Sequence, residues 1–153
     1  MKRLVLVGLG TLAIAFAGNL ISSDRPTVAL APEYQIAAAM RSGTFVSGEH
    51  PTRGSVQVVE EGGRQYLEFA DNFGTNEGPD LFVILHRSDD VIGTTQAPVH
   101  SINEGDYVLV EPLKVANGAQ RYAVPAGIDV DDYGSVAIWC RQFNATFGAA
   151  SLK

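Results

Sequence analysis

The chain holds one cysteine, Cys140, beside its one tryptophan, Trp139, in the apolar stretch Val136-Ala137-Ile138-Trp139-Cys140. A thiol can attack a disulfide, be oxidised to a sulfenic acid, or pair with a second thiol. With a single cysteine, any disulfide must reach another chain. Strand alternation puts Val136, Ile138 and Cys140 on one face and Ala137, Trp139 and Arg141 on the other. If the aliphatic face is the core, Cys140 is buried, as free cysteines commonly are. If the strand ends at Cys140, the neighbouring Arg141 is placed to stabilise a thiolate. The thiol is thus read as an inert core group, a link to a partner, or a reactive centre.

His50 is the second candidate, in the polar segment Gly48-Glu49-His50-Pro51-Thr52-Arg53-Gly54 between two strands. A loop imidazole at the rim of a β-fold could deprotonate a thiol or hold a metal, or simply be solvated. His86 and His100 fall at a strand end and in a loop and are weaker candidates. The third feature is Asp71-Asn72-Phe73-Gly74-Thr75-Asn76-Glu77-Gly78-Pro79-Asp80, rich in oxygen ligands around glycines. Calcium takes many hard oxygens in flexible geometry, but the spacing is not that of the helix-flanked calcium loop. Asx-turns explain the same residues without an ion, and the cluster Asp129-Val130-Asp131-Asp132 is read in the same two ways. Asn72, Asn76, Asp80 and Trp139 are the candidate ligand contacts, and no metal site is expected.

Several chemistries are set aside. The chain has no Cys-x-x-Cys pair, no Cys-x-x-Cys-His, no glycine-rich phosphate loop and no Gly-x-Ser-x-Gly elbow. One cysteine is too few for an iron–sulfur cluster. A copper site of one Cys and two His is not favoured, because no histidine follows Cys140. The sequon Asn144-Ala145-Thr146 falls in an expected strand, where a glycan would be hindered. The residues identify no cofactor, and turnover of a small substrate is not expected.

Lys2 and Arg3 precede the uncharged run Leu4 to Ala17, the pattern of a secretory signal rather than a membrane-spanning helix. Cleavage is expected after Ala15-Phe16-Ala17, giving a signal peptide over residues 1–17; uncut, the segment would anchor the chain to a membrane as far as Ile21. A second site, Ala29-Leu30-Ala31, is disfavoured by the following Pro32. Export to the periplasm, cell envelope or extracellular space is the expected localisation. Without Lys2 and Arg3 the chain has 9 basic and 17 acidic residues, a net charge of −8 against −6 for the whole. That balance argues against nucleic acid and anionic membrane surfaces as partners.

Residues 18–41 read as a linker, with one short helix expected over Tyr34 to Met40. From Ser42 onward the period becomes that of strands. The expected strands are Gly43 to Val46, Ser55 to Glu60, Gln65 to Ala70, Leu81 to His86, Tyr107 to Leu113, Gln120 to Val124, Val136 to Cys140 and Phe143 to Phe147. Glu61-Gly62-Gly63 and Asn117-Gly118 read as hairpin turns. The fold class is therefore all-β, an antiparallel β-sandwich or small β-barrel of about eight short strands after an N-terminal signal segment.

One ordered set of motifs goes further. Ser42-Gly43-Thr44-Phe45 with His50, then Leu67-Glu68-Phe69, then Asn76-Glu77-Gly78-Pro79-Asp80-Leu81, and finally Tyr133-Gly134-Ser135-Val136-Ala137-Ile138-Trp139-Cys140 with Phe143 resemble the DM13 domain over about residues 42–152. The resemblance implies an extracytoplasmic module, found alone or beside haem-binding domains. It also implies a proposed part in redox or electron transfer through a cysteine, at whose position Cys140 stands. The leading reading is a redox thiol at Cys140, with His50 or Arg141 as activator and a redox or haem-binding protein, or a disulfide-linked second copy, as partner. The alternative is a non-enzymatic binding or adhesion module for sugar or calcium, with Cys140 in the core.

Overall fold

The computed structural model describes residues 39–153, so the signal segment and most of the expected linker lie outside the described residues. Eight antiparallel strands make one nearly closed, barrel-like sheet: β1 (Ala39–Ser47), β2 (Ser55–Glu61), β3 (Arg64–Phe69), β4 (Leu81–His86), β5 (Tyr107–Pro112), β6 (Gln120–Ala123), β7 (Ser135–Cys140) and β8 (Ala145–Ser151). Their order across the sheet is β5-β4-β7-β8-β1-β2-β3-β6. The two edges are tied just past β5, where the Lys114 amide donates to the Tyr122 hydroxyl of β6 at 3.0 Å and the Gln120 side chain of β6 bonds both the amide and the carbonyl of Val115.

β1 carries the sheet around the corner. Its first half pairs with β2 through Thr44, and its second half pairs with β8 from Phe45 onward. Gly43 makes this crossing possible, because a Cβ there would lie 2.2 Å from the Ser151 carbonyl oxygen. Beside it, Ser42 and Lys153 exchange two backbone hydrogen bonds of 2.9 Å, which seal the carboxy terminus to the barrel. The Arg41 guanidinium donates to the carbonyls of Val130, Tyr133 and Leu152 at 2.9–3.1 Å. Of the helix expected over Tyr34 to Met40, the last two residues are strand and the rest lies outside the described residues.

The barrel interior is filled by alternate residues: Val56 and Val58 of β2, Leu67 and Phe69 of β3, Val83 and Leu85 of β4, and Val136, Ile138 and Cys140 of β7. Phe45, Phe69, Phe73 and Tyr122 meet at ring-centroid distances of 4.7–5.2 Å in tilted or edge-on pairs, each worth about 0.5–1.5 kcal/mol beyond burial. A second, smaller core lies outside the sheet, where Ile84, Ala137, Trp139 and Ala149 pack with Val91 and Ile102. The chain between β4 and β5, including the four-residue helix α1 (Val91–Thr94), supplies that cover. Asp90 caps α1 by accepting from the Gly93 amide at 2.8 Å. Every residue of β7 is consequently buried, on both faces of the strand.

Two expectations are corrected. Gly62-Gly63 does close a two-residue hairpin between Glu61 and Arg64, both glycines at positive φ as the tight turn demands. Asn117-Gly118 instead joins β5 to β6, which are opposite edges of the sheet and do not pair. The final strand runs over Ala145–Ser151 rather than Phe143 to Phe147. Phe143 lies in the preceding turn with 62% of its surface exposed, and Asn144 closes that turn in the left-handed region. The small residues of β8 are what the packing requires, since a Cβ on Gly148 would come within 2.4–2.7 Å of the Thr52 side chain.

Candidate functional site

Antiparallel order sends the β1–β2, β3–β4, β5–β6 and β7–β8 connections to one end of the barrel, and their contacts lock them together. Arg53 and Gly74 exchange backbone hydrogen bonds of 2.8 and 3.1 Å, Thr75 donates to Ala116, and Gly118 to Phe73. Beneath them the buried hydroxyls of Thr52 and Thr75 meet at 3.0 Å, and Thr52 also donates to the Phe147 carbonyl. His50, Asn72, Asn76, Asp80, Cys140 and Arg141, six of the seven candidate residues, all fall at this end. Their separations in sequence gave no sign of that convergence.

Cys140 closes β7, paired with Leu81 on β4 and Ala145 on β8. It faces the barrel interior with 0% of its surface exposed. Its Sγ donates to the Pro79 carbonyl oxygen at 2.9 Å, so the thiol is directed at the chain that leads into β4. The following residue grips the same chain twice. The Arg141 amide donates to the Asp80 carbonyl at 3.1 Å, and its guanidinium makes a bidentate pair with the Asp80 carboxylate, both bonds 2.9 Å. This pairing raises Arg141 further above its usual pKa, with the hydrogen bond to Asp80 as the largest cause. The guanidinium also lies 4.6 Å over the Phe82 ring. Asp80 has φ +62°, a left-handed conformation uncommon for a residue other than glycine.

His50 sits with its ring 4.0 Å from that of Phe147, and its Nδ1 is 3.2 Å from the Asn76 amide nitrogen. Phe147 in turn supports Gly78, where a Cβ would lie 2.9 Å from the Phe147 ring. His50 and Cys140 therefore each bond to the chain between Asn76 and Pro79 and not to one another. Asn72 is exposed on the β3–β4 connection. Of the candidate ligand contacts, Asn76 is turned to His50, and both Asp80 oxygens are held by Arg141. Among the described residues no three His, Cys, Asp or Glu side chains come together as a metal site.

Trp139 stands apart from the other candidates. It lies on the outer face of β7, buried beneath the β4–β5 connection, 4.9 Å from the Tyr107 ring. Its indole N–H donates to Asn144 Oδ1 at 3.0 Å. The same oxygen accepts from the Ile102 amide, and Asn144 Nδ2 donates to the Ile102 carbonyl, all at 3.0 Å. Asn144 thus pins both the tryptophan and the outer layer, a role that its sequon concealed. The sequence signal for it was an asparagine just after an apolar strand, a residue type that tolerates the left-handed turn found there. His86 and His100 are buried structural residues. His86 Nδ1 accepts from the Ser88 amide at 3.0 Å, and His100 Nδ1 meets the Thr95 hydroxyl at 3.0 Å.

Compared with known proteins, residues 44–152 match the family model described as Electron transfer DM13. No curated protein matches the chain, and no solved structure does.

Proposed function

The chain belongs to the DM13 family, and from that premise we propose that it is an exported electron-transfer module whose redox group is the Cys140 thiol. The carrying observation is the position of Cys140: it ends its strand, and the Gly78–Asp80 chain that covers it is itself at the surface. The thiol thus lies at the end of the core cluster, hydrogen-bonded to the carbonyl of an exposed residue.

A lone thiol limits the chemistry. In thiol–disulfide exchange the Cys140 sulfur bonds to one sulfur of a partner disulfide, the partner's S–S bond breaks, and the released sulfur takes up the proton that Cys140 loses. Formally one electron passes from the Cys140 sulfur to the released sulfur; full reduction of the partner needs a thiol of another molecule, which attacks the Cys140 sulfur of the mixed disulfide and releases the partner's remaining sulfur as a thiol. Arg141 is committed to Asp80 and His50 to Asn76, so either can serve as activator only after exchanging its present partner.

The burial of Cys140 favours a second reading, a non-enzymatic envelope binding module in which the thiol is core. Incubation of the native protein with oxidised glutathione separates the two. The first reading expects one glutathione on Cys140 with one equivalent of reduced glutathione released, and no adduct on Cys140→Ser. Adduct formation only above the unfolding transition overturns it.

A further inference from the structure

We propose that Gly78–Asp80 is a lid over Cys140, latched by the Arg141–Asp80 ion pair, and that opening this strap with the barrel intact exposes the thiol. The inference rests on the thiol reading above and specifies how that site is controlled.

The strap is held by backbone bonds at its ends; between them its other contacts are the Asn76–His50 bond and the Phe147 ring against Gly78. At one end Thr75 donates to Ala116 from within the locked loop cluster; at the other Asp80 leads into β4, where Leu81 pairs with Cys140. From Asn76 to Pro79, the one backbone hydrogen bond among the described residues is that received by the Pro79 carbonyl from Cys140. Asn76, Glu77, Gly78 and Pro79 are all exposed. The strap borders an open groove lined by Phe82, Leu113 and Val115, into which it can move.

The latch is the outermost of the contacts. Arg141 and Asp80 side chains retain 53% and 29% of their exposure, whereas Cys140 itself is fully buried. A bidentate guanidinium–carboxylate pair is the strongest form such a contact takes, yet at the surface it is screened by salt. Asp80 is at φ +62°, a left-handed conformation that costs an L residue free energy, though Asp and Asn less than most. Breaking the ion pair removes the outer of the two Arg141–Asp80 contacts and leaves the Arg141 amide bond to the Asp80 carbonyl as the hinge from which Pro79 withdraws and uncovers the thiol.

The test measures the labelling rate of native Cys140 by a small maleimide in the unaltered chain, Asp80→Asn and Arg141→Gln. Arg121→Gln serves as control, since it breaks the exposed Glu61–Arg121 pair between β2 and β6. Asparagine tolerates the turn at residue 80, so that variant removes the charge while keeping the fold. Both latch variants should label roughly two- to five-fold faster, the range that an exposed pair supports, with the control unchanged. The rates should not respond to urea below the unfolding transition, and labelling of the unaltered chain should quicken as salt is raised. Rates equal in all variants, or rising with urea in step with global unfolding, overturn the lid. Maleimide reports access alone: latch-dependent labelling without a glutathione adduct sinks the redox reading and keeps the lid, while adduct formation indifferent to the latch does the reverse.

Discussion

The indole N–H of Trp139 and the amide of Ile102 converge on one acceptor, Asn144 Oδ1, each at 3.0 Å. Asn144 therefore joins the outer face of β7 to the chain that covers it. Replacing it by alanine leaves the buried indole N–H without an acceptor and places a residue poorly suited to φ +46° in the turn. Leaving a buried donor unsatisfied costs about 1–3 kcal/mol, and the strained turn adds to that. Asn144→Ala should lose about 2–4 kcal/mol in chemical denaturation, and the emission of the single tryptophan should move to the red. Unchanged emission would show that the outer layer holds without this residue.

The β1 crossing gives a sharper backbone prediction. A methyl group on Gly43 would lie 2.2 Å from the Ser151 oxygen and 3.0 Å from its carbon, both backbone atoms that cannot rotate aside. Either β1 or the end of β8 must shift, which disturbs the paired hydrogen bonds of Ser42 with Lys153. Gly43→Ala should destabilise by about 1–3 kcal/mol, the usual cost of forcing volume into a filled site. The same change at Gly62, where nothing lies within 4 Å but φ is +58°, meets only conformational strain, so denaturation midpoints should separate the two variants.

Much of the barrel was legible because strand alternation records burial. The Val56, Val58 and Leu67, Phe69 pairs mark the interior faces of β2 and β3, and the same rule turned Cys140 inward. Alternation could not reveal that the other face of β7 is also buried. That depends on the β4–β5 connection folding back over Ala137 and Trp139, a long-range event without a local period. β8 was misplaced for a related reason: Gly148, Ala149 and Ala150 have weak strand preferences but fit where Thr52 and β7 approach closely. At the candidate site, residue types were legible and partnerships were not, since the Asp80–Arg141 and Pro79–Cys140 contacts each span 61 residues.

His86 makes stability depend on pH. Burial lowers its pKa, and Asp106 offsets this only in part. The folded protein therefore holds the ring neutral over a range where the unfolded chain, near 6.5, already binds a proton. The stabilising contribution is whole above about 6.5 and declines as pH falls below it toward the lowered folded value. Protonation at Nδ1 would also remove the acceptor used by the Ser88 amide. Across pH 8 to 5 the melting temperature of the unaltered chain should fall more steeply than that of His86→Asn, whose side-chain oxygen can replace Nδ1. Parallel profiles would remove His86 as the source.

At the barrel seam Tyr122 carries the opposite dependence. Its hydroxyl accepts from the Lys114 amide at 3.0 Å and donates to Gln120, while burial pushes its pKa up to about 12 despite the Lys114 bond, with Glu111 adding to the rise. An unfolded tyrosine ionises near 10, so the contribution is complete below about pH 10 and is lost as pH climbs from there to about 12. Two units correspond to about 2–3 kcal/mol over that interval. Tyr122→Phe should abolish this part of the alkaline loss. It should also impose a pH-independent cost of about 1–3 kcal/mol, because the Lys114 N–H is left without its acceptor. Denaturant midpoints at pH 8 and pH 11 distinguish the two effects: an offset at both values measures the seam hydrogen bond, and convergence at the higher value measures the ionisation. If the variant equals the unaltered chain at pH 8, the Lys114–Tyr122 contact does not hold the edges of the barrel together.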